Sequence, residues 1–407
     1  MLAALLIFAL TYAVIGIGRL PGLRLDRAGA ALVGASLMVA VGVLTPAEAY
    51  RAIDLDTIAL LLGMMILVAN LRLAGFFHLA NAWISRHARH PLALLAGVIL
   101  VSGGLSAFLV NDTVCLMLTP LVAEATLTMR RNPVPYLLAV AMASNIGSTA
   151  TITGNPQNIM IGSLSHIPYG EFAAALSPVA AIGLVLVLLL VALAWRHEFL
   201  TRARLAAPAP RLRWNRGLLL ESLAVALGMV ACFFWGVAPA KVAVVGGALL
   251  LLTPRVKPER VYREIDWPLL LLFAGLFIVI AGAEKALLGP EVLDYAKRLD
   301  LDSPPVMAAV AAVLSNLVSN VPAVLLFEPV MRAMPAPSQT TAWLALAMSS
   351  TFAGNLTILG SVANLIVVEN ARREGVVVSF WEYCKVGIPI TLLTLVVGIA
   401  WLKYVHY

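Results

Sequence analysis

The sequence predicts an all-α polytopic membrane protein. Hydrophobic residues make up 61% of the 407 residues and charged residues only 12%, and the mean hydropathy is +0.94. Soluble domains are nearer half apolar and a quarter charged. Apolar runs long enough to span a bilayer recur along the chain, and they lack the strict alternation of membrane β-strands. We therefore expect about ten transmembrane helices.

The N-terminal segment, about residues 1–17, is predicted to be the first spanning helix. It has no basic region before its apolar run and no small-residue cleavage site, which argues against a signal peptide. Nothing outside the membrane is long enough to form a second domain. The other predicted spans cover about residues 28–45, 56–73, 134–164, 172–195, 217–236, 240–253, 267–284, 341–368 and 384–403.

A motif rich in Gly, Ser, Thr and Asn occurs twice, at residues 141–158 and 347–364. Two further blocks recur in the same order, and the offsets are 212, 209 and 206 residues along the chain. Three blocks in order indicate an ancient duplication. We predict a first repeat over 1–195, a basic cytoplasmic linker over 196–216 and a second repeat over 217–407.

Two apolar stretches, about 92–129 and 304–331, are interrupted by polar residues and are predicted to be re-entrant hairpins. With the basic linker in the cytoplasm, seven of the 28 Lys and Arg residues lie outside and 21 lie inside. That bias follows the positive-inside rule. The first hairpin then enters from the cytoplasm and the second from outside, and both termini lie outside. Inverted repeats with two discontinuous helices are typical of secondary transporters.

The hairpin tips and the repeated motifs supply the predicted binding site. Broken backbone in a membrane must face protein, ions or a water-filled cavity, because lipid cannot satisfy its polar groups. The alternative is that small residues serve helix packing and that Ser and Thr bond their own backbone. The candidate substrate- or ion-binding residues are Asn111, Asp112, Thr113, Ser148, Thr151, Gly154, Asn155, Asn158, Ser319, Asn320, Asn355, Thr357, Gly360, Ser361 and Asn364.

Asp112 is predicted to carry the coupling proton. A carboxylate at membrane depth is costly and by default indicates a functional site. Its repeat equivalent is Val321, so the coupling chemistry is expected to be asymmetric. The alternative role is to cap the second helix of the hairpin. Glu124 and Glu328 also fall within apolar stretches and are weaker candidates.

No cofactor is expected apart from the coupling ion, H⁺ or Na⁺. Cys115, Cys232 and Cys384 show no paired spacing, which argues against a disulfide framework or a zinc site. The basic residues flank spans, so orientation explains them better than nucleic-acid binding. A sodium ion, if sodium is the coupling ion, is expected near Asn111, Asp112 and Asn155.

The paired motifs resemble those of the ion transporter superfamily, in particular its arsenite permease and NhaD-type antiporter branch. The resemblance rests on NDTVCLMLTP (111–120) with STATITGNPQN (148–158), and on SNVPAVLLFEP (319–329) with GNLTILGSVAN (354–364). More distantly, the motifs are similar to those of dicarboxylate/sodium symporters. The resemblance implies a scaffold part and a transport part that holds both hairpins, and it allows a cytoplasmic ATPase subunit as a partner.

The residues favour a small, neutral, hydroxyl-rich substrate, because no Lys or Arg falls within the four motifs. Arsenite and antimonite are undissociated trihydroxy species at neutral pH. We therefore expect arsenite or antimonite efflux across the inner membrane in exchange for protons. The alternatives are a sodium-coupled Na⁺/H⁺ antiporter or carboxylate or oxyanion symporter, a channel, and the membrane subunit of an ATP-driven pump.

We do not expect an enzyme, since no nucleophile–base pair or metal cluster stands out. The expected partners are membrane lipid, a small inorganic or organic substrate and a second copy of the chain.

Overall fold

The computed structural model describes residues 2–17, 25–201, 204–205, 214–287, 301 and 303–404. These residues form helices and short connections, with no β-strand among them. The helices of the first half are α1 Leu2–Ile17, α2 Arg27–Ala40, α3 Pro46–Ala52, α4 Leu55–Ala74, α5 Phe76–His87, α6 Pro91–Phe108, α7 Asn111–Thr128, α8 Val134–Ser148, α9 Pro156–Ser165, α10 Tyr169–Ala194 and α11 Arg196–Phe199. Those of the second half are α12 Arg216–Phe234, α13 Pro239–Leu251, α14 Pro258–Tyr262, α15 Trp267–Leu287, α16 Pro304–Val318, α17 Asn320–Ala333, α18 Ala336–Ala353, α19 Val362–Arg373 and α20 Phe380–Tyr404.

Six of the described helices are long and apolar enough to cross a bilayer, namely α4, α6, α10, α12, α15 and α20. Five shorter apolar helices accompany them, namely α1, α2, α8, α13 and α16. Helices satisfy their backbone hydrogen bonds internally, which lipid requires. The predicted class of an all-α polytopic membrane protein is confirmed.

Helix α4 and its repeat equivalent, α15, run in opposite directions. Arg72, at the end of α4, pairs with Glu264, just before the start of α15. Glu48, in the short helix α3 that precedes α4, pairs with Lys285, near the end of α15, at 2.7 Å. The start of each helix therefore lies beside the end of the other, which is the arrangement that inverted repeats require. Helix α4 also packs against α13 and α2 against α15, so each half contacts the other.

Each predicted hairpin consists of two helices that contact each other across a very short turn. Only Leu109 and Val110 separate α6 from α7, and only Ser319 separates α16 from α17. Ser319 has a φ of 78°. This backbone region is rarely adopted by residues other than Gly, and strain of this kind clusters at functional sites. The two tips therefore differ in conformation as well as in sequence.

Helix α5 was not predicted from the sequence. Gly75, with a φ of 86°, ends α4 and lets the chain turn directly into α5. The helix packs along the first hairpin, where Asn81 Nδ2 donates to the carbonyl oxygen of Leu121 at 3.2 Å. Its twelve residues are shorter and more polar than a span, so hydropathy did not detect it.

The span predicted over 28–45 is shorter in the structure. Helix α2 ends at Ala40, and the chain then reverses through Gly42, whose φ is 77°. Helix α3 follows, and Thr45 and Glu48 form a reciprocal capping box at its start. Residues 202–203 and 206–213 of the predicted basic linker lie outside the described residues. Its described beginning is anchored by Glu198, which pairs with Arg131 at 2.7 Å.

Candidate functional site

The two repeated motifs form matching helix breaks. In the first, α8 ends at Ser148, a 3₁₀ turn covers Ile152–Gly154, and α9 begins at Pro156. In the second, α18 ends at Ala353, a 3₁₀ turn covers Ile358–Gly360, and α19 begins at Val362. Each break interrupts the helical hydrogen bonds and exposes carbonyl oxygens that need other partners.

An asparagine side chain satisfies these carbonyl oxygens in each break. Asn158 Nδ2 donates to the oxygens of Ser148 at 3.2 Å and Thr151 at 3.1 Å. Its repeat equivalent, Asn364, donates to Gly354 at 2.6 Å and Thr357 at 3.0 Å. Leaving such buried groups unpaired would cost about 1–3 kcal/mol each. Both asparagines therefore hold the breaks together.

Gly154 is required where the first break packs against the end of α8. A methyl group added at position 154 would lie 2.1 Å from the carbonyl oxygen of Ser148. At Gly360 the corresponding approach is 2.9 Å, to the oxygen of Gly354. Both oxygens belong to the backbone, but the approach is much closer at Gly154, so the first break is the tighter of the two.

We predict that Gly154→Ala lowers the melting temperature of the purified protein, at a cost of about 1–3 kcal/mol or more from overpacking. Gly360→Ala should cost less. Gly104→Ala is the matched control, because a methyl group there meets nothing within 4 Å. Thermal unfolding in detergent measures all three variants. A Gly154→Ala protein that is as stable as Gly104→Ala would contradict the packing argument.

Both hairpin tips and both breaks meet at one cavity of about 270 Å³. The four helices that follow the tips and the breaks, α7, α9, α17 and α19, all place their first turns on its wall, so four helix N-termini from the tips and breaks face it. Helices α2 and α15 also begin at this wall. Helix N-termini offer unpaired N–H groups and a partial positive charge to oxygen atoms. The lining residues that matter below are Asp26, Arg27, Asn111, Asp112, Gln157, Asp266, Ser319, Asn320 and Ser361.

Asp112 has no hydrogen-bond or ion-pair partner in the described part of the chain. The other two carboxylates at the cavity are engaged by helix starts. Asp26 accepts from Gly29 N–H at 2.8 Å, and Asp266 accepts from Leu269 N–H at 3.1 Å. Asp112 also lines a second cavity of about 100 Å³. Its carboxylate is therefore the one best placed to take up a proton or contact a ligand.

Arg27, at the start of α2, is the single cationic side chain among the described residues that line the first cavity. It was not among the predicted site residues, because it lies outside all four motifs. Three acidic side chains, those of Asp26, Asp112 and Asp266, line the same cavity, so acidic groups outnumber basic ones there. The second cavity adds Arg72 and Glu264, which neutralise each other as an ion pair.

Asn145 joins the two repeats at the centre of the site. Its Nδ2 donates to Asn355 Oδ1 at 2.9 Å and to Asn364 Oδ1 at 3.0 Å. Its Oδ1 accepts from Asn111 Nδ2 at 3.0 Å and from Ser361 Oγ at 3.2 Å. The amide thus uses its full hydrogen-bonding capacity, and it connects the first hairpin tip to the second break.

The repeat equivalent of Asn145 is Thr351, which has a related role. Thr351 Oγ1 accepts from Asn155 Nδ2 at 3.2 Å and from Gln157 Nε2 at 3.1 Å. Asn145, Thr351 and Gln157 were all absent from the predicted site. Their types differ between the repeats, so a search for recurring residues did not select them. The available signal was the presence of buried amides within the repeated motif itself.

The predicted site residues separate into two groups. Asn111, Asp112, Ser319, Asn320 and Ser361 line the first cavity, and Thr113 lines the second. The others do not line either cavity and lie within the breaks, where they pack or bond to protein atoms: Ser148, Thr151, Gly154, Asn155, Asn158, Asn355, Thr357, Gly360 and Asn364.

The structure therefore brings together only part of the predicted sodium set. Asn111 and Asp112 share the cavity, and the buried Asn111 Oδ1 has no hydrogen-bond partner in the described residues. Asn155 lies apart, bonded to Ser148 and Thr351. Within the described ranges, no group of three or more His, Cys, Asp or Glu side chains is arranged to hold a metal ion.

A third cavity, of about 550 Å³, lies at the opposite ends of α4 and α15. Asp54 on its wall is the repeat equivalent of Asp266, and Ala281 is the equivalent of Ala69 in the second cavity. Glu284, Glu328 and Arg332 also line it, but no residue of either hairpin tip does. The second and third cavities are thus related by the repeat and lie at opposite ends of α4 and α15. Residues of the hairpin tips line the second cavity but not the third.

Comparison with known proteins identifies the family. The sequence model described as "CitMHS: Citrate transporter" matches residues 5–353. A transporter of Mycobacterium bovis is 30% identical, with 94% of each chain covered. The silicon efflux transporter LSI3 of Oryza sativa subsp. japonica is 31% identical, with 93% of each chain covered. The putative transporter arsB of Dictyostelium discoideum is 26% identical over 93% of this chain and 87% of the relative.

Two solved structures share the fold. The YdaH transporter of Alcanivorax borkumensis superposes with a TM-score of 0.61 at 14% identity, over 98% of this chain and 96% of that chain. MtrF of Neisseria gonorrhoeae superposes with a TM-score of 0.62 at 10% identity, over 98% and 93%. The relatives are transporters and not enzymes, and they confirm the resemblance to the arsenite permease branch of the ion transporter superfamily. The chain therefore belongs to the CitMHS citrate transporter family of multi-pass secondary transporters.

Proposed function

We propose that the protein exports small, neutral, hydroxylated species, arsenite and antimonite first among them, in exchange for protons by alternating access. The observation that carries this proposal is the character of the first cavity. Amides, hydroxyls and four helix N-termini face it, while three carboxylates oppose a single guanidinium. Such a wall can hydrogen-bond a neutral polyol-like species without supplying a countercharge.

A multiply charged anion fits this wall less well. Asp26, Asp112 and Asp266 repel it, and Arg27 alone attracts it. Undissociated arsenite and antimonite have only hydroxyl groups to satisfy. The names of two relatives, a silicon efflux transporter and a putative arsB transporter, support the same substrate class. Silicon in neutral water is also present as an undissociated hydroxylated species.

Proton exchange is proposed to act through Asp112, the carboxylate without a partner. The predicted topology places the first cavity on the cytoplasmic side and the third cavity on the outer side. The structure then corresponds to a state in which the tips are reached from the cytoplasm. Placement in the inner membrane with both termini outside and formation of a homodimer belong to the same proposal. Association with a cytoplasmic ATPase is proposed as the alternative, which accumulation that requires ATP would support.

Transport by everted membrane vesicles tests this function. The vesicle lumen corresponds to the outside of the cell, so an acid lumen drives protons out and arsenite in. We expect arsenite and antimonite to accumulate when the lumen is acidified, in sodium-free buffer and without ATP. Accumulation that requires sodium or ATP, or that occurs only with citrate, would overturn the proposal.

A sodium-coupled symporter of small carboxylates or oxyanions is the second candidate. Two observations favour it, the convergence of four helix N-termini and the presence of Arg27, and so does the family's description as citrate transporters. Helix N-termini and guanidinium groups are the usual partners of carboxylates.

Arg27→Gln separates the two candidates. For a neutral substrate we expect the KM for arsenite to change little at a fixed pH gradient. For an anion, loss of a charge-assisted hydrogen bond of about 1.5–3 kcal/mol should raise KM roughly 10- to 100-fold. Arg51→Gln is the control, because Arg51 lines only the third cavity. A large rise in the arsenite KM of Arg27→Gln alone would argue against neutral recognition.

A further inference from the structure

A groove on the surface of the second half lies between α12 and α13, far from the hairpin tips in sequence and lined by none of their residues. Its volume is about 550 Å³, within the ~300–1,000 Å³ usual for small-molecule sites. The wall is apolar apart from one end. The lining residues include Val225, Gly228, Met229, Val245, Gly246 and Leu249.

The polar end of the groove lies where α12 and α13 are joined. Trp235, in that connection, is 85% exposed, as expected of a tryptophan anchored at the membrane interface. Val237 and Lys241 line this end. On α12 the lining residues extend from Cys232, near this end, to Ala224, about two helical turns further along the groove. Eight helical residues span about 12 Å, so the apolar part extends well into the depth of a bilayer leaflet.

Lys241 is exposed and has no hydrogen-bond or ion-pair partner within the described residues. The acidic residue on these two helices, Glu221, is already paired with Arg255 at the other end of α12. The groove therefore has an unpaired ammonium group at the membrane–water interface and a continuous apolar surface that extends from it into the bilayer. An occupant must be amphipathic, with an anionic head and an apolar tail of this length.

We propose that the groove between α12 and α13 binds an anionic phospholipid, whose phosphate contacts Lys241 and whose acyl chain lies between the two helices. The long methylene stem of Lys241 lets its ammonium reach the headgroup level while the stem covers apolar surface. This site is independent of the proposed substrate, because it shares no residue with the transport cavities.

Native mass spectrometry of the delipidated full-length protein tests the proposal, with phosphatidylglycerol and phosphatidylcholine as probes. We expect tighter retention of phosphatidylglycerol. Lys241→Gln should lower its affinity about fivefold, to the level of phosphatidylcholine. Gly228→Leu should lower the retention of both lipids by filling the groove, and it should fold normally because nothing lies within 4 Å of a Cβ atom added there and the groove leaves room for the rest of the side chain.

Lys403→Gln is the matched control, since Lys403 is an exposed lysine near the end of another helix and lies outside the groove. It should bind both lipids as the unmodified protein does. Equal retention of the two lipids, or unchanged phosphatidylglycerol affinity in Lys241→Gln and Gly228→Leu, would overturn the proposal. A protein that is dimeric except in the Gly228→Leu variant would show that the groove is an interface between two copies of the chain. That result would also overturn the lipid-binding proposal.

Discussion

Asp112→Asn is expected to abolish proton-driven accumulation of substrate and to leave the protein folded. The substitution keeps the size and shape of the side chain but removes its ability to exchange a proton in the physiological range. No hydrogen bond or ion pair of Asp112 with a described residue is lost, so stability should change little. Of the three carboxylates at the cavity, the two others already accept backbone N–H groups.

Everted vesicles with an acidified lumen measure this loss directly. Glu124→Gln is the matched control, because Glu124 lies on the same helix but lines neither of the cavities that Asp112 lines. Counterflow, in which preloaded substrate exchanges without a gradient, distinguishes coupling from binding. We expect counterflow to persist in Asp112→Asn while accumulation disappears. Unchanged accumulation would remove Asp112 from the mechanism.

Recurrence within the sequence located those parts of the site that the two halves share. Gly154 and Gly360 recur because both breaks need a residue without a side chain near the preceding helix. Asn158 and Asn364 recur because both breaks expose two carbonyl oxygens. Recurrence did not distinguish a residue that binds substrate from one that stabilises the break, and the structure places both asparagines in the second role.

The features that the sequence did not reveal are those that depend on tertiary packing. Arg27 reaches the cavity only because α2 packs against α15 and places its first residue beside the hairpin tips. Asn145 and Thr351 are equivalent positions with different side chains, so symmetry concealed both. Helix α5 is too short and polar for hydropathy to detect, yet it supports the first hairpin through Asn81.

Asn145→Ala is expected to cause the largest combined loss of stability and transport. The substitution removes both acceptor and donors from the centre of the network, and Asn111 Nδ2, Asn355 Oδ1 and Asn364 Oδ1 lose a partner. Each buried group left unpaired costs about 1–3 kcal/mol, so the sum should be about 3 kcal/mol or more. Transport should fail as well, because the first hairpin tip loses its link to the second break.

Thermal unfolding and vesicle transport are measured on the same preparations. Asn81→Ala is the control. Asn81 is partly buried, donates one hydrogen bond, to the Leu121 carbonyl oxygen, and does not line the first or second cavity. Asn145→Thr introduces the residue of the other repeat and should retain part of the stability through one hydroxyl. A stable, fully active Asn145→Ala protein would show that the Asn145 amide network neither holds the two halves together nor positions the tips, and that the remaining ion pairs, hydrogen bonds and packing are sufficient.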